Sequence, residues 1–124
     1  MGKRILIIDD EELIVQSLVS LLNSQGYTVK IAKSGKEALK IIQDNNFDLI
    51  ICDVRMPEMD GIETITKIRS YLKKAKKKNI PEVIITGYAD VDKYEKAMEL
   101  KVIDYLYKPF HSEDLLKVIR KVIK

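Results

Sequence analysis

Five short apolar runs recur along the chain, and each is followed by a stretch whose apolar residues fall at helical spacing. The runs are Arg4 to Ile8, Thr28 to Ala32, Leu49 to Asp53, Glu82 to Thr86 and Asp104 to Tyr107. They are too short for helices and most are rich in β-branched residues, so they read as strands, the central one buried on both faces. In the first helical stretch Ile14, Leu18, Leu21 and Leu22 form a stripe widened by Val15 and Val19, and Gly26 stops it. Ser34-Gly35-Lys36-Glu37 has the form of a capping box and opens a second helix through Leu39 and Ile42, which Asn45-Asn46 breaks. A third begins near Gly61 and carries Ile62, Ile65 and Ile68. A weaker fourth runs from about Asp90 to Leu100, with Tyr94, Ala97 and Met98 on one side. Ser112 can cap the fifth, whose first turn holds Glu113 and Asp114 and whose stripe is Leu115, Val118, Ile119 and Val122.

Strands that alternate with helices in this way require a parallel sheet covered on both faces and joined by right-handed crossovers. The expected fold is α/β: a doubly wound, flavodoxin-like, five-stranded parallel sheet of order 2-1-3-4-5 with five helices. With 124 residues and no linker, repeat or low-complexity tract, residues 1–124 read as one domain. No apolar run approaches the roughly 20 residues that cross a bilayer, and nothing resembles a secretory leader, so no membrane role is expected. Cys52, the one cysteine, sits in the central apolar run as a small core residue. An internal disulfide is therefore excluded, and a cytoplasmic location fits. The net charge of +3 is modest. Lys73, Lys74, Lys76, Lys77 and Lys78 lie where the third helix should end, with no aromatic interleaving. They read as a solvated helix end, and no direct nucleic-acid binding is expected.

In a sheet of this order ligands bind at the carboxyl edge, between the first and third strands. Those strands end in Asp9, Asp10 and Asp53. Asp53 could simply end its strand or cap the next helix, and Asp9-Asp10 could furnish a helix N-terminus. Gathered at one edge, however, three carboxylates either rise in pKa or hold a cation. Oxygen donors with room for water favour Mg²⁺, or Mn²⁺, over Ca²⁺. Thr86 ends the fourth strand, where Gly87 leaves room beside it, and Lys108 ends the fifth. A hydroxyl and an ammonium facing a metal and a carboxylate suit a phosphoryl group.

These motifs resemble, in order and over the whole chain, the receiver domain of bacterial two-component response regulators, the group that includes the chemotaxis regulator. Ile7-Ile8-Asp9-Asp10-Glu11 is similar to the family's acidic pair, and Asp53-Val54-Arg55-Met56-Pro57-Glu58-Met59-Asp60-Gly61 to its phosphoacceptor loop. Ile84-Ile85-Thr86-Gly87 and Asp104-Tyr105-Leu106-Tyr107-Lys108-Pro109-Phe110 match the other two motifs.

The resemblance implies that Asp53 is the phosphoacceptor, taking a phosphoryl group from a histidine kinase in a Mg²⁺-dependent reaction. Asp10 and Asp53 would bind the metal directly, Asp9 mainly through water, and Arg55 through its backbone carbonyl. Lys108 would neutralise phosphoryl oxygens, and the Lys108–Pro109 bond would be cis. Gly61 would occupy a position intolerant of a side chain. Thr86 would move to bond the phosphoryl group, and Tyr105 would turn into the space it vacates. The surface of the fourth helix, fifth strand and fifth helix would repack, where a downstream protein, a fused output domain or a second copy docks. Arg55 and Tyr88 would overhang the site and set the phosphoryl lifetime, the bulk of Tyr88 hindering the attacking water. His111, the one histidine, reads as a loop residue near a helix start.

Two other classes compete with a phosphorylation-controlled switch. A Mg²⁺-dependent phosphohydrolase with an aspartyl nucleophile would carry a second Asp two residues on, where this chain has Arg55. A receiver-like domain that binds without phosphorylation would have lost an acid, the Thr or the Lys, and none is missing. Turnover is therefore not expected.

Overall fold

Backbone donors and acceptors in a buried apolar run must find partners, and a run too short for a helix finds them in neighbouring strands. A computed structural model, which describes residues 2–87 and 89–123, shows how these runs pair. The strands are β1 (Arg4–Ile8), β2 (Thr28–Ala32), β3 (Leu49–Asp53), β4 (Glu82–Thr86) and β5 (Asp104–Tyr107). The helices are α1 (Glu12–Ser24), α2 (Gly35–Asp44), α3 (Gly61–Lys74), α4 (Val91–Glu99) and α5 (Ser112–Val122). All strand pairs are parallel, as the alternation requires, and the order is the expected β2-β1-β3-β4-β5.

Successive strand residues point to opposite faces, and that parity divides the core in two. Ile5, Ile7, Leu49, Ile51, Val83 and Ile85 pack with Val15, Leu18 and Leu22 of α1 and Leu115 and Ile119 of α5. Leu6, Ile8, Ile50, Cys52 and Ile84 face the other way, against Ala38 and Ile42 of α2, Ile65 and Ile68 of α3, and Ala97 of α4. Both faces of β1, β3 and β4 are thus covered, which accounts for the near-continuous apolar runs. Cys52 is a buried free thiol, and burial pushes its pKa well up.

The capping expectations are met in part. Ser34 accepts the Glu37 amide at 3.1 Å. Asp60 and Asp90, which the sequence reading did not single out as caps, do the same for α3 and α4, accepting the amides of Glu63 and Lys93. The fifth helix differs from expectation. Ser112 is its first helical residue and His111 holds the cap position, its amide donating to the Asp114 carboxylate, which reaches back at 3.3 Å. His111 takes the extended backbone of a cap, and the Asp114 carboxylate meets its amide, so the helix starts one residue earlier than a serine cap would place it.

The lysine cluster lies at the end of α3, with Lys73 and Lys74 in its last turn, so the helix-end reading agrees with the fold. Helix α4 is the most lightly seated of the five, with Ala97 its one buried residue. Among the described residues, no helix is long and apolar enough to cross a membrane.

Candidate functional site

The site is built by strand parity and register. Ile7 pairs with Ile51 and Ile8 with Cys52, so one further step along both strands sets Asp9 beside Asp53. Asp9 and Asp53 share the parity of Ile7 and Ile51, while Lys108 shares that of Leu106, which packs with the same layer. All three side chains therefore approach from one side of the sheet at its carboxyl edge. The Lys108 amide donates to the Thr86 carbonyl at 2.7 Å and ties the ends of β4 and β5 together.

The resulting geometry is close. Asp9, Asp10 and Asp53 each offer a carboxylate oxygen, and these oxygens lie within 4.8 Å of one another. Asp9 and Asp53 are buried, Asp53 only 2% exposed, whereas Asp10 opens to solvent. The Lys108 ammonium stands 3.4 Å from Asp9 Oδ2, 3.2 Å from Glu11 Oε1 and 3.9 Å from Asp53 Oδ2. Gly61 closes the loop after β3. Its amide donates to the Val54 carbonyl at 2.8 Å, and a Cβ there would lie 2.1 Å from the Asp53 carbonyl oxygen. No side chain fits, as the resemblance implied. The Lys108–Pro109 bond is cis.

Burial and the neighbouring Asp9 charge push the Asp53 carboxyl up to about 7, although Lys108 pulls it down. Asp9 is also raised, chiefly by burial, against the lowering effects of the Glu11 amide and Lys108. Burial disfavours the Lys108 ammonium, but Asp53, Asp9 and Glu11 outweigh it and hold the pKa above its ordinary value. Two buried acids and an exposed third, with one ammonium among them, form a cluster short of positive charge. A small divalent ion suits that deficit, and an all-oxygen donor set with one open side suits Mg²⁺ or Mn²⁺.

The remaining sequence candidates fall around this centre. Thr86 is fully buried at the end of β4. Arg55 is exposed two residues after Asp53 and lines an open cleft with Val54, Met56, Pro57, Asp60, Asp90 and Lys93. Tyr88 lies outside the described residues. Tyr105 lies on β5. Its ring is already inside, 7% exposed, in edge contact with Tyr94 at 5.1 Å and Tyr107 at 5.4 Å. Among the described residues its hydroxyl has no hydrogen-bond partner, and burial pushes its pKa up to about 12.

Three neighbours escaped the sequence reading. Glu11 reaches Lys108, and Lys93 of α4 grips the free oxygen of Asp60. Burial would raise Asp60, but the Glu63 amide and Lys93 outweigh it and hold its pKa low. Glu11 sits in an acidic run whose members look alike in sequence, and no spacing rule joins Lys93 to Asp60.

Fold and site together define a class: a doubly wound sheet with an acidic, lysine-bearing switch point. Comparison with known proteins names it. The family model described as "Response regulator receiver domain" matches residues 5–120. The chain is 39% identical over 119 residues to the transcriptional regulatory protein ZraR of Escherichia coli K12, covering 96% of this chain and 26% of that protein. It is 32% identical over 121 residues to the regulatory protein AtoC of the same organism, covering 98% and 25%. Among solved structures, the Vibrio cholerae chemotaxis protein CheY4 superposes with a TM-score of 0.87 at 32% identity, covering 99% of this chain and 100% of that one. A CheY-like receiver domain protein from Methanospirillum hungatei gives 0.88 at 30% identity, covering 98% and 93%. The chain belongs to the response regulator receiver domain family, the signalling modules of two-component systems. It spans about a quarter of the length of ZraR and AtoC.

Proposed function

We propose that residues 1–124 act as a phosphorylation-controlled switch, with Asp53 as the acceptor and a histidine kinase as the donor. The observation that carries this reading is the convergence of Asp9, Asp10 and Asp53 with Lys108 at one rim of the sheet. In the transfer an Asp53 oxygen attacks phosphorus and forms a P–O bond. The P–N bond of the phosphohistidine breaks, and its electron pair stays on the imidazole nitrogen. Lys108 balances charge on the transferred oxygens, and the buried setting of Asp53 limits competing water. Asp10 and Asp53 would hold Mg²⁺ or Mn²⁺ directly, Asp9 through water and Arg55 by its carbonyl. The ion, when bound, supplies positive charge to the acidic cluster and to the transferred group.

Thr86, buried beside the acceptor, would bond the phosphoryl group. Tyr105 already occupies the interior, so the response would pass through the Tyr94–Tyr105–Tyr107 contacts to the surface of α4, β5 and α5. A downstream protein, a fused output domain or a second copy would dock there. Arg55 and Tyr88 would govern how long the acyl phosphate survives. Arg55 stands where a phosphohydrolase of this type carries its general acid, which favours a switch over turnover.

Incubation with acetyl phosphate and Mg²⁺, followed by intact mass, tests the assignment. One phosphoryl adduct is expected on the wild type and none on Asp53→Asn. An adduct that persists on the variant, or none on the folded wild type, overturns it. Steady release of nitrophenol from p-nitrophenyl phosphate would instead favour the enzyme reading.

A further inference from the structure

Glu11 occupies the cap position before α1, yet its side chain makes no cap bond. It turns to Lys108 instead, Oε1 to Nζ at 3.2 Å, while its own amide donates to Asp9 Oδ1 at 2.9 Å. Lys108 thus stands nearer to Glu11 and to Asp9, at 3.2 and 3.4 Å, than to the acceptor Asp53 at 3.9 Å. Only the last of these separations is too long for a hydrogen bond. Asp9 belongs to the acidic triad; Glu11 lies outside it. Glu11 is also the exposed member, its side chain 56% accessible beside a lysine that is 12% accessible.

We infer that Glu11 is a positioning residue which holds the Lys108 ammonium off Asp53 and so restrains phosphoryl uptake. The inference rests on the receiver reading given above. When phosphorus is transferred to Asp53, Lys108 must turn toward the new phosphoryl oxygens. A bond from Glu11 that exists before transfer and is given up during it stabilises the starting state alone, and such a bond slows the step. An exposed ion pair is worth a few tenths to 1 kcal/mol, so releasing it should accelerate uptake about two- to fivefold.

The test follows adduct formation by intact mass at fixed Mg²⁺ over a range of acetyl phosphate concentrations. In this reaction an Asp53 oxygen bonds to phosphorus and acetate leaves with the electron pair of the broken P–O bond. The proteins are the wild type, Glu11→Gln, Glu11→Asp and Glu12→Gln. Glu12 is a comparable neighbour that pairs with Lys33 at 3.4 Å. Glu11→Gln and Glu11→Asp should both accelerate uptake, since the aspartate keeps the charge but falls one carbon short of Lys108. The gain should lie in the maximal rate and not in the half-saturating donor concentration, because Glu11 touches the lysine and not the donor. Glu12→Gln should match the wild type. If Glu11→Asp behaves as wild type, or Glu12→Gln equals Glu11→Gln, the effect is one of general charge and the inference fails. A Glu11→Gln rate equal to or below that of the wild type also overturns it. Should the wild type take up no phosphoryl group at all, the receiver reading falls, which is a separate outcome.

Discussion

Arg69 on α3 meets the Glu82 carboxylate at the start of β4 through two bonds, Nε to Oε2 at 2.8 Å and Nη2 to Oε1 at 2.7 Å. The glutamate side chain is only 2% exposed, so this fork joins a helix to a central strand through a buried charge. Arg69→Ala would leave that carboxylate without its partner and should lower unfolding stability by about 3 kcal/mol in urea titration. Replacing both residues, Arg69→Met with Glu82→Leu, should recover most of the loss. A double variant as weak as the single one would show that the pair adds net stability.

The raised Asp53 carboxyl makes stability depend on pH. Its folded pKa of about 7 lies above the ordinary 3.8, so the folded state holds the proton more tightly between those values. Stability therefore falls as pH rises from about 4 to about 7, and the full cost is present above that window. Asp53→Asn should be more stable than the wild type at pH 8 without metal, and by a clearly smaller margin at pH 5. Added Mg²⁺ should stabilise the wild type more at pH 8 than at pH 5, and the Asn variant least. Urea titrations at the two pH values check each sign.

Tyr105→Phe removes the buried hydroxyl that has no partner among the described residues. The ring keeps its contacts with Tyr94 and Tyr107. The variant should gain about 1 kcal/mol with an unchanged denaturant slope. A loss would mean that the hydroxyl is satisfied in solution.

Gly61→Ala would drive a methyl group into the Asp53 carbonyl, 2.1 Å from its oxygen, and backbone cannot yield there without moving Asp53, the proposed acceptor. Phosphoryl uptake should fall about a hundredfold, the usual cost of misplacing a reacting group by about 1 Å. Comparable uptake in the alanine variant would show that the loop accommodates the methyl group.

The fold was legible because five strand-like runs and five amphipathic stretches leave a doubly wound sheet as the economical arrangement. The acidic centre was legible for a related reason: the usual strand order of such a sheet sets the switch point, and the acids end the strands beside it. Residues joined across the molecule were not. Glu11 and Lys108 are 97 positions apart, and Lys93 and Asp60 are 33 apart. Neither pair follows a helical or strand period. Alternation likewise gives the face Tyr105 points to and not which rotamer its ring adopts.

Lys93 joins α4 to the residue that caps α3, so the two halves of this contact can be separated by mutation. Lys93→Ala and Asp60→Asn should both speed amide exchange in α4, while the asparagine keeps the α3 cap and leaves α3 protected. The stability loss should stay below about 1 kcal/mol, as for other partly exposed pairs. Equal exchange in α4 before and after either change would remove this pair as a fastening.

A helix with a single buried side chain is cheap to relocate, whatever the rigidity of the platform beneath it. Reversing a hundred-to-one preference between two placements takes a bias of only about 5.5 kcal/mol. On the reading proposed above, a doubly charged adduct at the rim would supply that bias by acting on a few side chains. The sheet would then serve as an unchanging anvil while one lightly held element carries the message.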